Sequence, residues 1–161
     1  MALAHCLPFA ALNDAQHAAL HAIELDNHIK PWSANQLRAC STNGYAAHAW
    51  LDDNLTVLGY AVFMPNGTDW ELLNITVART RQGQGLGSVM LAHGIAGAQA
   101  QGVEAVFLEV RASNLVAIAV YERFKFLKVG VRRGYYPSTK PLVQEDAWVM
   151  KLHLEAAGAL Q

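Results

Sequence analysis

The chain has 161 residues, 53% of them hydrophobic and 16% charged, enough for one substantial apolar core and no second. Twelve basic against thirteen acidic residues give a net charge of −1, which argues against a nucleic-acid binder that works by neutralising phosphates. Residues 1–12 are apolar, but no Lys or Arg precedes Lys30; the basic region of a signal peptide is missing, and no run reaches the roughly 18 to 20 apolar residues that cross a bilayer. A soluble cytoplasmic protein with no membrane partner is expected, and Cys6 and Cys40, which lack C-x-x-C spacing, read as thiols in a reducing compartment.

In chain order, Asn13 with Gln16 and Ser33 with Gln36 each place a capping side chain three residues before an amide able to reach back, the signature of a helix start. The pattern predicts helices near 14–28 and 33–40. Pro31 separates them, because it cannot donate to a helix interior and pushes its predecessor out of the α region. From Tyr45 to Val77, β-branched and aromatic residues are punctuated by two turn signals, Asp52-Asp53-Asn54 and Pro65-Asn66-Gly67-Thr68, which predicts three antiparallel strands. A glycine-rich turn then leads into a helix over 88–100, a strand over 105–110 and a helix from Asn114 to Phe124. Two further strands are expected around 128–133 and 146–152, joined by a Pro-containing loop from Tyr136 to Gln144, and the Ala-rich tail over 155–161 is expected to fray. No repeat or linker divides the chain, so residues 1–161 read as a single mixed α/β domain with an antiparallel first half.

The segment Gln82-Gly83-Gln84-Gly85-Leu86-Gly87-Ser88 lies between a strand ending at Val77 and a helix beginning near Gly87. Glycines at alternate positions let backbone N–H groups face outward, and a helix amino terminus adds partial positive charge, so the loop reads as a pyrophosphate cradle or, more plainly, as a flexible turn. A Walker loop needs Gly-Lys-Ser/Thr where this chain has Gly87-Ser88-Val89, and a Rossmann fingerprint needs glycine where Ser88 stands; neither matches.

Together with that loop, Glu71-Leu72-Leu73-Asn74-Ile75-Thr76-Val77 and Leu108-Glu109-Val110-Arg111-Ala112-Ser113-Asn114 followed by Ala119-Val120-Tyr121-Glu122 resemble the GNAT N-acetyltransferases, and within them the RimI-type ribosomal-protein alanine N-acetyltransferases. The resemblance runs from Pro31 to Leu152 and is densest from Glu71 to Tyr136. It implies an α/β (α+β) GNAT fold: a mixed, mostly antiparallel sheet of about six to seven strands, splayed between the fourth and fifth, with about four flanking helices. It implies acetyl-CoA as cosubstrate and no metal. Backbone groups of Ile75, Thr76 and Val77 would pair with the pantetheine arm. Gln82, Gly83, Gln84, Gly85, Leu86, Gly87 and Ser88 would hold the pyrophosphate, and Asn114 would contact the cosubstrate near its reactive end.

Acyl transfer from a thioester to an amine needs a neutral nitrogen and a proton for the departing sulfur. By the resemblance Glu109 is the general base and Tyr121 the general acid. Read from the residues alone, Glu109 is equally an ordinary strand-end ion pair, for instance with Arg111, whereas Tyr121, seven residues after Asn114 on the same helix and at helical spacing with Ile118 and Phe124, reads as a core residue. At pH 7, deprotonating an α-amine costs about 1 kcal/mol and a lysine about 4 to 5, which favours an amino-terminal substrate. Pro31-Trp32 and Tyr135-Tyr136 match segments flanking the peptide entrance in related amino-terminal acetyltransferases, or serve as rim packing. The implied partner is the amino-terminal alanine of a basic small-subunit ribosomal protein. Glu24, Asp26, Glu145 and Asp146 are the acids available to attract such a peptide. Lysine or small-molecule amine acetylation, and a non-catalytic acyl-CoA-binding module, are the competing readings.

Two positions depart from the family pattern. Lys125 stands where glycine usually ends the catalytic helix, which is expected either to cost about 1 kcal/mol or to force a different cap, and Gly134 replaces a common asparagine before the tyrosine pair. His17, His21 and His28 have a spacing that can bind zinc, but Ala18 occupies the place of the metalloprotease glutamate, so packed or solvated histidines are expected instead.

Overall fold

The structure, a computed structural model, describes residues 4–139 and 143–155; the expected tail beyond Glu155 lies outside the described residues. The elements are β1 (His5–Pro8), α1 (Asp14–Asn27), α2 (Ala34–Ala39), β2 (Ala46–Leu51), β3 (Val57–Asn66), β4 (Asp69–Val77), α3 (Leu86–Ala100), β5 (Ala105–Arg111), α4 (Leu115–Arg123), β6 (Leu127–Pro137) and β7 (Gln144–His153). Both predicted capping boxes form: Asn13 caps α1 and Ser33 caps α2, with Gln16 and Gln36 reaching back to the cap N–H groups. Each satisfies two donors that a helix start leaves orphaned.

The strands make a seven-stranded sheet in the order β1-β2-β3-β4-β5-β7-β6, antiparallel at β1/β2, β2/β3, β5/β7 and β6/β7 and parallel at β4/β5. The parallel ladder runs from Asp69↔Ala105 to Leu72↔Leu108, after which β4 continues to Val77 and β5 to Arg111. Two compact units divide the chain, one with Leu73–Gly94 and the residues up to Pro65, the other with Asn66–Leu72 and the residues from Ile95.

In the first unit, Phe9, Leu20, Leu37, Leu51, Tyr60 and Val62 form an almost fully buried core under β2 and β3. Each large apolar side chain removed from water contributes about 1.5 to 3 kcal/mol. The register His5↔Leu51 to Pro8↔His48 adds β1 to this sheet, a strand too short to announce itself in the apolar amino-terminal run. At Gly94 of α3, an added Cβ would lie 2.1 Å from the Phe63 ring, so the helix backbone seats directly on an aromatic face.

In the second unit, β5 alternates from Val106 onward. Val106, Leu108 and Val110 are buried, whereas Phe107, Glu109 and Arg111 share the half-buried opposite face, as a period of two requires. Strand β7 pairs with β5 along its length, and β6 pairs with β7 through two register shifts, at Lys128/Gly130 and Arg132/Tyr136. The second shift contains Gly134, whose φ is +61° and whose N–H donates to Asp146 Oδ1 at 2.9 Å. Glycine and asparagine both tolerate this left-handed conformation, which accounts for either residue at the position. β6 thereby extends to Pro137, so Tyr135 and Tyr136 lie within a strand and not at the start of a loop. Among the described residues no helix is long and apolar enough to cross a membrane.

Candidate active site

Glu109 points from the open face of β5 into a cluster contributed by β4 and β6. Its carboxylate, 15% exposed, pairs with Arg132 Nε at 2.8 Å, while the guanidinium side chain is 59% exposed. The ion-pair alternative is therefore real, but its partner is Arg132; Arg111 instead pairs with Glu145 at 3.4 Å, donates to the Pro137 carbonyl at 2.8 Å and lies over the Tyr136 ring. Glu71 of β4 faces the same spot. Burial raises its pKa, the Glu109 charge raises it further, and Arg132 opposes both. The Tyr135 phenol is raised mainly by its hydrogen bond to Glu109. Tyr136 is raised by burial first and then by the Glu109 and Tyr135 charges, with Arg111 opposing and Tyr121 adding a smaller repulsion. Glu109, Tyr121, Tyr135 and Tyr136, all four named from sequence, thus share one electrostatic environment with Glu71 and Arg132, which sequence reasoning did not name.

Tyr121 sits where α4 ends. Phe126 N–H donates to the Tyr121 carbonyl and Lys125 N–H to the Glu122 carbonyl, the paired bonds of a Schellman motif. Its hydrophobic clasp is the edge-to-face contact of Tyr121 with Phe126, with ring centroids 5.8 Å apart. Lys125 takes the left-handed position, φ +74°, so the departure from glycine is accommodated by strain and not by a different cap. Burial pushes the Tyr121 phenol up to about 12; it remains protonated throughout the neutral range. At the other end of α4, Asn114 Oδ1 accepts the Ala117 N–H at 3.2 Å, so that oxygen is engaged in capping the helix.

In the first unit, Ile75 and Val77 lie on the half-exposed face of β4 while Asn74 and Thr76 turn inward. Thr76 Oγ1 donates to Asn74 Oδ1 at 2.7 Å and contacts His28 Nε2 at 2.8 Å, so its side chain braces the strand. Gly83 and Gly85 have φ of +78° and +86°, and a Cβ on either would meet nothing within 4 Å. These two glycines are conformationally required, whereas Gly87 is not. Helix α3 begins at Leu86, whose side chain is buried, and its first N–H groups have no partner inside the helix. Open space beside left-handed glycines at a helix amino terminus suits a diphosphate. Gln82 Nε2 donates to Asn27 Oδ1 at 2.9 Å and to the Val77 carbonyl at 3.0 Å, and Arg79 binds the Asp26 carbonyl and carboxylate. The loop is thus tied to the end of α1 by side chains whose roles were not legible from spacing.

A family model described as the acetyltransferase (GNAT) family matches residues 9–126. The chain belongs to the GNAT acetyltransferase family. It is 38% identical over 135 residues to the ribosomal protein bS18-alanine N-acetyltransferase of Escherichia coli (strain K12), covering 84% of this chain and 88% of that protein. Identity to the Haemophilus influenzae enzyme of the same description is 33%, covering 84% and 90%. The crystal structure of the ribosomal-protein-S18-alanine N-acetyltransferase from Escherichia coli superposes with a TM-score of 0.85 at 31% identity, covering 99% of both chains.

For this GNAT acetyltransferase, the remaining sequence candidates divide sharply. Trp32, following Pro31, donates its backbone N–H to Glu24 Oε2 at 2.9 Å. Glu24 is 1% exposed and also accepts from the Tyr60 phenol and Asn74 Nδ2, so it is an internal brace and not an entrance acid. Asp26 is occupied by Arg79 and Asp146 by Arg133. Glu145 accepts the Ser113 N–H, and its hydrogen bonds to Ser113, with Arg111 assisting, hold its carboxyl below the usual range. The three histidines do not converge: His17 packs edge-on against Phe9 and His28 binds Thr76 and Glu24. Among the described residues no group of three or more His, Cys, Asp or Glu could hold a metal ion.

Proposed function

We propose that this chain transfers the acetyl group of acetyl-CoA to the α-amine at the amino terminus of a protein, the alanine of a basic small-subunit ribosomal protein, in the cytoplasm and without a metal. The observation that carries the reading is the cluster around Glu109: a half-buried carboxylate on the open face of β5, ringed by the phenols of Tyr135 and Tyr136. The likeness to ribosomal protein bS18-alanine N-acetyltransferases over 84% of the chain supports the choice of substrate, and the family match across 9–126 supports a single catalytic domain.

Acetyl-CoA, when bound, supplies an acyl carbon already activated as a thioester. The chain's own residues do the rest. The N–H groups from Gly83 to Ser88 bind the diphosphate and those of Ile75 and Val77 the pantetheine arm, with Asn114 Nδ2 as a further donor. Glu109 takes the proton from the substrate ammonium, directly or through a water. An α-ammonium near pKa 8 needs far less help from one carboxylate than a lysine near 10.4. The buried Tyr121 phenol, pushed up to about 12, holds its proton at every working pH and offers an O–H to the departing sulfur. Tyr135 and Tyr136, beside Glu109, meet the arriving peptide.

Incubating the protein with acetyl-CoA and alanine-initiated peptides, internal-lysine peptides or polyamines, read by mass spectrometry, tests this. Acetyl on the peptide α-amine alone is expected. Acetyl on lysine or polyamine would replace the substrate class, and acetyl-CoA binding with no CoA released by any amine would make the chain a binding module. Tyr121→Phe should leave acetyl-CoA affinity nearly unchanged and lower turnover about a hundredfold or more; unaltered turnover removes Tyr121 from the chemistry.

A further inference from the structure

Charge counting around Glu109 leaves one cation short. Arg111 has its own carboxylate, Glu145, and Arg133 has Asp146. Arg132 alone faces two acids: its Nε lies 2.8 Å from Glu109 Oε1, and its charge also opposes the rise in the Glu71 pKa. The set Glu71, Glu109 and Arg132 therefore carries one unbalanced negative charge when both acids are ionised. The partners are also unequally held. The Glu109 carboxylate is 15% exposed and fixed on a central strand, whereas Arg132 is 59% exposed and stands on the edge strand beside a register shift. An ion pair that exposed is worth about 0 to 1 kcal/mol and is easily opened. In the same conformation the guanidinium carbon lies 5.4 Å from the Tyr135 ring centroid, a contact the cation need not lose entirely when it leaves the carboxylate.

We propose that Arg132 is a displaceable counter-ion: in the free enzyme its guanidinium holds the place beside Glu109 that the substrate α-ammonium takes over, so Arg132 sets amine affinity by competing for it. The inference rests on Glu109 being the carboxylate that receives the amine. Arg132 is a specificity-determining residue and touches no reacting atom once substrate is bound. Its presence neutralises Glu109 when the site is empty, and the uncompensated charge of Glu71 favours the exchange, since the incoming ammonium meets two carboxylates once the guanidinium swings away.

The test is steady-state kinetics of Arg132→Met, which keeps an apolar stem, with an alanine-initiated peptide and acetyl-CoA. Removing a competitor worth about 1 kcal/mol should lower the peptide KM about fivefold, with the acetyl-CoA KM and the melting temperature unchanged. Arg132→Lys, which restores a cation on the same strand, should return the peptide KM toward the parent value without moving the acetyl-CoA KM. A peptide KM that rises or stays fixed in Arg132→Met, or that stays lowered in Arg132→Lys, overturns the proposal; a purely structural role would move the melting temperature and neither KM selectively. Glu109→Gln, run beside it, separates the two readings. Full turnover in that variant removes Glu109 as the base. An inactive Glu109→Gln with an unchanged peptide KM in Arg132→Met removes only the counter-ion.

Discussion

Glu24 in the first unit and Glu109 in the second are both drawn out of water, and they are satisfied in opposite ways. Glu24, 1% exposed, receives the Tyr60 phenol, the Asn74 amide and the Trp32 N–H, with His28 Nε2 3.3 Å away. Its hydrogen bonds come from groups fixed on three different segments, so the carboxylate ties its own helix α1 to β3, β4 and the stretch before α2. Glu109 is held chiefly by one cation that is itself 59% exposed, Arg132, and by the phenol of the exposed Tyr135. A buried charge saturated by fixed donors is structural, because any movement strands several polar groups at once. A charge held by something that can leave is free to meet a substrate.

The strongest way to break that contrast is a pair of variants. Glu109→Gln should lower turnover about a hundred- to ten-thousand-fold with little change in melting temperature. Glu24→Ala should do the reverse in kind: it removes the acceptor for two buried donors and one part-buried donor and leaves a cavity, and should cost about 3 to 5 kcal/mol in urea unfolding. Equal stability losses in the two would erase the distinction. A smaller effect sharpens it through pH. Tyr121 has its pKa raised to about 12 by burial, against about 10 in the unfolded chain. A group raised in this way contributes stability that is fully present below pH 10 and is lost as pH climbs toward 12. Unfolding free energy should therefore fall by about 2 kcal/mol between pH 9 and pH 11.5 from this residue, and Tyr121→Phe should recover that part of the fall; Tyr60 and Tyr136, also raised, add to the parent's loss. The smallest expected change is at the end of α4. Lys125→Gly should stabilise the protein by about 0.5 to 1 kcal/mol, by relieving a left-handed side chain, and a destabilised variant would mean that the Lys125 side chain contributes more than its conformation costs.

What the sequence could tell depended on how local each feature is. The starts of α1 and α2 were legible because Asn13 with Gln16, and Ser33 with Gln36, form their caps within a single turn. The glycine loop and α4 were legible for the same reason, and Glu109 and Tyr121 came through the motif that the family shares. Arg132 and Glu71 were not legible, because their approach to Glu109 is fixed by register: the parallel pairing of β4 with β5 and two shifts between β6 and β7. No spacing along the chain encodes those shifts, and they also carried Tyr135 and Tyr136 into a strand. Glu24 left one clue. It lies four residues after Leu20, the other buried residue of α1, so a carboxylate on an apolar helical face was the sign of an internal acceptor awaiting donors.

The seating of Gly94 on Phe63 limits how α3 can ever move. A helix resting its bare backbone on a ring, with a Cβ excluded at 2.1 Å, cannot slide by a turn or roll about its axis without driving a neighbouring side chain into the aromatic. The start of that helix, beside the left-handed Gly83 and Gly85, is thus held by a contact two turns away that consists of having no atom at all, the missing methyl at residue 94.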